Sequence, residues 1–482
     1  MLSSRMFSSL LASEDFDAFE LATAEAARSV GLEAMRECVE AFDAGLAARP
    51  MPGWSVHERA PRTLVTLLGA MTYTRTVFLD RLGRRRALCD ELLGVPKRAR
   101  LSAGAFLWMC RCAAELSYRK TAAAFAELSG ARVSHVTVMR CVHEEGALLK
   151  SARRPRERVS QGVLHVEADG LWVRLQEESH RERALPRFLY EQARRTRSFE
   201  LKMACAYAGK KKVAPGRHER GGLLLTCGDD SPDEFWGRVE SMVSEAYEPA
   251  DLERVVLGAD GAAWCARGEL AGAPVARSLD PFHIMQKIWR AFPEGAQREW
   301  AVNLAVRRKP LQLARMCARV AAKAPDPARA RKVRELGSYM EANADAVRFP
   351  TPSLGTMEGT NAHVGAARLK GLGRSWSRRG AEAMCLIRCA LACGRPLVAP
   401  PKQAFFTERG REAARRAASR PASRPRRAAD TSRPTGPRRP GSKPRRRSGR
   451  RRANMEPPRN RAAAPRGCRG PPPRRSDGAL PD

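Results

Sequence analysis

No apolar run in the chain approaches the ~20 residues that a membrane-spanning helix needs. The opening Met1-Leu2-Ser3-Ser4-Arg5-Met6-Phe7 lacks the long apolar core of a secretory leader. Both absences point to a cytoplasmic protein. Acidic residues are scarce: 52 Asp and Glu face 87 Lys and Arg, a net charge of +35. Such an excess calls for an acidic partner, and without a membrane span that partner reads as nucleic acid. Aromatic residues make up only 6% of the chain. They form no stacking stripe of the kind single-strand binders use, which argues against a structural or RNA-binding basic protein. The 13 cysteines are odd in number, scattered, and contain no C-x-x-C pair. A disulfide framework is therefore not expected, and the reading is reduced thiols without structural zinc. Cys385, Cys389 and Cys393 recur at i, i+4 and i+8. They read as a metal stripe or as small buried apolar residues, and the lack of a nearby histidine favours burial. There is no G-x-S-x-G, no P-loop and no dinucleotide fingerprint in context, so an activated side-chain nucleophile is not in view.

What is present is enough apolar residue, 43% of 482, for two to four domains. Residues 1–60 carry helical spacing, with Leu21, Ala24, Ala27, Val30, Ala34 and Cys38 as the apolar positions. Residues 61–150 begin with two β-prone runs around Gly69 and a basic tip at Arg81–Arg86. Two helices follow, Ser117–Ser129 and Ser134–His143, joined through Gly130. They fit a helix-turn-helix, with Arg119, Lys120 and Arg140 toward DNA, or an ordinary helical hairpin. A basic linker at 150–160 leads into strand-like runs at Leu164–Leu175, Phe199–Tyr207, Gly222–Cys227, Val255–Leu257 and Val275–Leu279. A helix from Ser231, with Pro232 and Glu234 in a capping box, interrupts them. The pattern predicts a mixed sheet flanked by helices. Residues 282–346 are helical in pattern, and 356–395 form one long helix or two. The tail, 401–482, holds 25 Lys and Arg against 6 Asp and Glu and has little apolar periodicity. It is expected to be disordered, as a phosphate-binding arm or as translated GC-rich sequence without a role.

Three acids beside glycine stand out: Asp169 in V-E-A-D-G, Asp260 in L-G-A-D-G and Glu358 in M-E-G-T-N. Strand alternation puts His165, Glu167 and Asp169 on one face. Each acid also has a plainer reading. Asp169-Gly170 and Asp260-Gly261 suit turns. Asp280-Pro281 suits a helix start, and Glu358 suits a first helical turn. As a set they suit two hard divalent cations, Mg2+ or Mn2+, arranged for in-line phosphodiester chemistry.

These motifs, with Leu279-Asp-Pro-Phe-His-Ile284, Leu88-Cys-Asp-Glu-Leu-Leu-Gly-Val95 and Leu116-Ser-Tyr-Arg-Lys-Thr-Ala122, resemble the ISLre family of bacterial insertion-sequence transposases over about residues 60–395. These are DDE-type enzymes distantly similar to Mutator-like transposases. The resemblance implies an RNase H-like catalytic domain at 160–395 with a helical insertion at about 285–350, behind a mainly helical N-terminal region containing a helix-turn-helix. It assigns Asp169, Asp260 and Glu358 as the metal triad. It makes Asp280, His283 and Asn361 accessory residues, and Arg368, Lys370, Arg374 and Arg378 DNA contacts. The implied partners are double-stranded DNA, as terminal inverted repeats and target, and further copies of the chain, in a nucleoid-associated setting. Pro281 stands where the family has arginine, and the tail lies outside its pattern. The alternative is a decayed transposase that only binds DNA sequence-specifically.

Overall fold

The computed structural model describes residues 12–151, 158–176, 197–215, 217–266, 268–348, 354–371 and 373–398. The tail at 401–482, residues 152–157 of the basic linker and the first eleven residues lie outside them.

Helix α1 (Phe16–Ala47) starts where the Asp15 carboxylate accepts the Ala18 amide at 2.8 Å. Its buried Asp43 accepts the amide and hydroxyl of Thr76, tying it to an antiparallel hairpin, β1 (Ser55–Thr66) and β2 (Gly69–Leu79). The hairpin thus starts inside the segment expected to be helical. At the expected basic tip, Asp80 accepts the amides of Leu82 and Arg84, and β3 (Arg85–Arg86) returns beside β2. Helix α2 (Leu88–Leu93) closes at Gly94, and its buried Asp90 receives Tyr73, Arg62 and Arg75 from the hairpin.

Three helices follow: α3 (Ala103–Glu115), α4 (Tyr118–Ser129) and α5 (His135–Ser151). The hydroxyls of Ser102 and Ser117 cap the first two, and Ser134 accepts the Thr137 amide at the start of α5. The α4–α5 link begins at Gly130, whose φ of +70° suits a residue without a Cβ.

The sheet behind them is mixed and has six strands. Strand β4 (Val163–Arg174) pairs antiparallel with β5 (Ser198–Tyr207), which pairs antiparallel with β8 (Leu224–Gly228). On its other side β4 runs parallel to β9 (Arg254–Ala259), and β9 parallel to β11 (Ala273–Leu279). The short β10 (Glu269–Leu270) closes that edge. A two-stranded ribbon, β6 (Gly209–Ala214) with β7 (Arg217–Gly221), stands apart from the sheet and was not foreseen in the sequence.

Apolar side chains cover both sheet faces. Leu164, Val166 and Ala168 pack with Phe235, Trp236 and Val239 of α6 (Pro232–Ala246), which begins with the expected capping box. Leu171 and Val173, on the opposite face, join the α3–α5 core and α14 (Arg378–Ala392). Between β11 and the last segment lie α7 (Pro281–Ala291), α8 (Ala296–Val306), α9 (Pro310–Lys323), α10 (Pro327–Ala342) and α11 (Ala344–Arg348), with a core of their own. Helix α12 (Met357–Thr360) runs into a π-helical turn (Asn361–Ala366) and α13 (Ala367–Leu369). The segment expected to form one helix or two is broken before α14, where Gly371 and Gly373 take φ of +134° and +72°.

Candidate active site

The register of the parallel strands builds the site. Ala168 of β4 stands beside Ala259 of β9, and Ala259 beside Leu279 of β11. The residues that follow are Asp169 within β4 and Asp260 and Asp280 just past the ends of β9 and β11, three acids in a row on neighbours whose backbones run about 4.8 Å apart. Glu358 arrives from the first turn of α12. Asp169, Asp260, Asp280, His283 and Glu358 line one cavity of about 70 Å³, with Glu167, Gly258 and Gly355 among its other walls. This corrects one plain reading: Asp169-Gly170 is no turn, since β4 continues through it with Asp169 opposite Met203 and Gly170 opposite Lys202. The other plain readings coexist with the site. Gly261 follows Asp260 with φ +84°, and Asp280 caps α7 by accepting the Phe282 amide at 2.9 Å, with Pro281 in the first turn.

Asp169 and Asp260 are held by neighbours. Asp169 accepts the Gly170 amide at 2.8 Å and the side-chain amide of Asn361. Burial, and then the Asp260 charge, raise its proton affinity above that of an ordinary aspartate, against the opposing pull of Gly170, His283 and Asn361. Asp260 accepts the Ala262 amide at 2.8 Å, and its carbonyl accepts the Tyr339 hydroxyl at 2.6 Å, which latches the helical insertion to the site. Glu358 is exposed to the cavity mouth. The carboxylates share the cavity without closing on one another. Among the described residues, the ligand atoms that come within 4.8 Å as a threesome are the thiols of Cys227, Cys385 and Cys389 in the core. Like charges without a counter-ion repel, so a separated set is what electrostatics dictates for these acids.

Glu167 is the residue whose role the sequence did not disclose. Strand alternation groups it with Asp169 on an acidic face, yet it is buried at 3% exposure. Its Oε2 accepts the amides of Gly355, Thr356 and Met357 at 2.9, 2.8 and 3.2 Å. Its Oε1 accepts Tyr207 at 2.7 Å and the Thr356 hydroxyl. It anchors the turn that delivers Glu358. Gly258 permits this close approach, because a Cβ there would stand 2.9 Å from Leu354.

The predicted DNA contacts divide. Arg119, Lys120, Arg140 and Lys370 are exposed. Arg368 is not a surface residue. It is 7% exposed, donates to the carbonyls of Ala113 and Leu116 at the end of α3, and lies over the Trp376 ring at 4.9 Å. Its expected DNA role is withdrawn: the guanidinium is spent on the helix terminus. Arg374 likewise donates to the carbonyls of Ala367, Arg368 and Lys370. Arg378 pairs with Asp229 at 2.8 Å.

The chain belongs to the uncharacterised protein family UPF0236, whose profile matches residues 14–399. It is 24% identical over 387 residues to a UPF0236 protein of Caldanaerobacter subterraneus subsp. tengcongensis whose name joins eleven locus designations, covering 74% of each chain. It is 23% identical over 373 residues to a Streptococcus gallolyticus protein described as a UPF0236 protein in the vanSb 3′ region, covering 74% of this chain and 79% of that one. No helix among the described residues is long and apolar enough to cross a membrane.

Proposed function

We propose that the chain is a DDE-type transposase of an insertion sequence, of the ISLre kind, with Asp169, Asp260 and Glu358 as its acidic triad. The observation that carries this reading is the convergence of the three acids, from β4, the end of β9 and α12, on one cavity. The sheet supports an RNase H-like fold. Three successive antiparallel strands (β4, β5, β8) are joined by two parallel ones (β9, β11) stacked outward from β4, with the helical insertion before the last acid. A relative whose name joins eleven loci describes a repeated gene, and repetition is what a self-copying element produces.

The donor set is carboxylate oxygen with one imidazole, lining a cavity with uncompensated negative charge, and it fits Mg2+ or Mn2+. Asp169, Asp260 and Glu358 would hold two such ions. When bound, these ions neutralise charge on the scissile phosphate and assist in-line attack. The chain's own residues supply position: Asn361 fixes Asp169, Tyr339 fixes Asp260, and Glu167 fixes the Glu358 turn. His283, on the cavity wall, would donate to a phosphate oxygen. Water attacks the phosphodiester at the element's end and releases a 3′-hydroxyl. That hydroxyl then attacks a target phosphodiester, forms the new bond, and displaces the target's 3′-oxygen. Arg119, Lys120 and Arg140 on the α4–α5 pair would meet the terminal inverted repeats. Strand transfer of two ends calls for at least a dimer on DNA.

The test is cleavage of supercoiled plasmid carrying the element's ends, with Mg2+, by the wild-type chain and by Asp169→Asn, Asp260→Asn and Glu358→Gln. Each variant should lose more than about 100-fold in rate, beyond the effect of losing an outer-shell partner, while still binding DNA. Three active variants would end the assignment. A wild-type chain that binds the ends and cuts nothing would be the decayed, DNA-binding form.

A further inference from the structure

The β6–β7 ribbon carries its charge on one side. In its register Lys210 faces Arg220, Lys211 faces Glu219 and Lys212 faces His218. Directly opposed residues share a face, and faces alternate along the strand. Lys210, Arg220, Lys212 and His218 therefore lie on one face, and Lys211 with Glu219 on the other. Opposed cations destabilise a ribbon unless an anion lies between them. Among the described residues no carboxylate forms an ion pair with Lys210, Lys212 or Arg220, and the only acid on the ribbon lies on the far face.

The cationic face points at the candidate active site. Lys210 Nζ donates to the Leu354 carbonyl at 3.4 Å. Arg220 donates to the hydroxyls of Thr356 and Thr360 at 3.3 and 2.8 Å. These oxygens flank Glu358. The ribbon's root thus stands against the turn that presents the third acid. Lys212 and His218 extend the same face about 7 Å further outward, at two residues of strand rise, and both are exposed. Burial makes Lys210 a weaker base than usual; the neighbouring Arg220 adds to this and the Glu167 charge opposes it.

We propose that the β6–β7 ribbon is a phosphate clamp, whose Lys210, Lys212, His218 and Arg220 face grips the sugar–phosphate backbone of the DNA strand entering the Asp169–Asp260–Glu358 cavity. This rests on the transposase reading. The grip is ionic, and the face offers no aromatic ring, so it positions the strand without reading bases.

The test uses the full chain in a metal-free buffer and measures binding by fluorescence anisotropy. Two duplexes are compared, an element end and a scrambled sequence, across a salt series. The Lys212→Ala/His218→Ala variant is chosen because these residues are exposed and bond to no part of α12. Its affinity should fall about 3- to 10-fold for both duplexes, and the log–log salt slope should drop by about one to two, at close to one per lost phosphate contact. Lys212→Glu should weaken binding further. Lys211→Ala, on the far face, should change little. Unchanged affinity and slope in the double variant and in Lys212→Glu, or an equal loss in Lys211→Ala, would overturn the clamp while leaving the triad assignment to the cleavage assay. A wild-type chain that binds neither duplex would remove the transposase reading, and the clamp with it.

Discussion

Glu167 and Thr356 are joined twice: one carboxylate oxygen accepts the Thr356 amide at 2.8 Å, and the other accepts its hydroxyl. They are 189 residues apart in the chain, so this contact is what brings the Glu358 turn to β4. Replacing Glu167 by Gln puts an amide nitrogen where five donors converge and leaves at least one buried donor unmet. We expect a loss of about 1–3 kcal/mol in denaturant unfolding, with Glu167→Ala worse. Because Glu358 is displaced, the cleavage rate of the folded fraction should fall at least tenfold. A Gln variant with wild-type stability and rate would reduce Glu167 to a bystander.

The Asp169 carboxylate is buried beside Asp260, and both effects favour its protonated form. Its folded-state proton affinity is thus above the unfolded one. For such an acid, stability is greatest below the unfolded pKa and declines as pH rises through the carboxylate range toward neutrality. Without metal, Asp169→Asn should therefore match or exceed wild type in melting temperature at pH 7, and the gap should close as pH is lowered through that range. Added Mg2+ should raise the wild-type melting temperature, by up to about 2.7 kcal/mol of stability at 100 times the dissociation constant. It should do little for the variant. A metal-free Asn variant that melts well below wild type at neutral pH would contradict the electrostatics.

Arg368 and Lys370 are two residues apart and should behave in opposite ways. Truncating Arg368 strips the α3 carbonyls of Ala113 and Leu116 of their donors and empties the space over Trp376. Arg368→Ala should cost about 2–4 kcal/mol, with DNA affinity of the folded protein little changed. Lys370 is exposed, so Lys370→Ala should leave stability within about 0.5 kcal/mol and weaken DNA binding at low salt. Unfolding curves and a binding titration on the two variants separate these roles, and a stable Arg368→Ala with lost DNA binding would restore the surface reading.

These residues mark where the sequence was legible. Strand ends and helix starts could be read because their signals are local: Ser231 with Glu234, Asp280 with Pro281, Gly130 after α4. Asp169, Asp260 and Glu358 could be named because each lies beside glycine, the first two within or at the end of an apolar run. Contacts across the fold left no such mark. Arg368 reads as one more cation in a basic segment until the end of α3 is seen beneath it. The ribbon left no signal because a strand needs its partner to be recognised, and β6 and β7 have little apolar alternation. Of the three cysteines expected to be buried, Cys385 and Cys389 are and Cys393 is half-buried, and the approach of Cys227 from β8 depends on sheet packing that helical spacing does not encode. Glu167 gave half of its signal, the shared face with Asp169, and withheld the other half, the backbone amides it holds.

Tyr339 offers a way to ask whether the helical insertion matters to the site. Its hydroxyl donates to the Asp260 carbonyl at 2.6 Å, and its ring lies where a Cβ on residue 261 would stand, 2.8 Å from Cε2. Gly261 is thus required both by its φ of +84° and by the ring. Tyr339→Phe keeps the ring and removes one donor, so about 1 kcal/mol of stability should be lost. If the latch also fixes the Asp260 side chain, the cleavage rate should fall about tenfold, more than the stability change alone implies, because small displacements of a positioned group are amplified in rate. Gly261→Ala should be worse on both counts, since it adds backbone strain and drives the ring away. The discriminating measurement is single-turnover cleavage at saturating DNA and Mg2+: a Phe variant that loses the stability and keeps the rate would make α10 a packing element only, whereas a rate loss with DNA affinity intact would tie the insertion to the placement of Asp260.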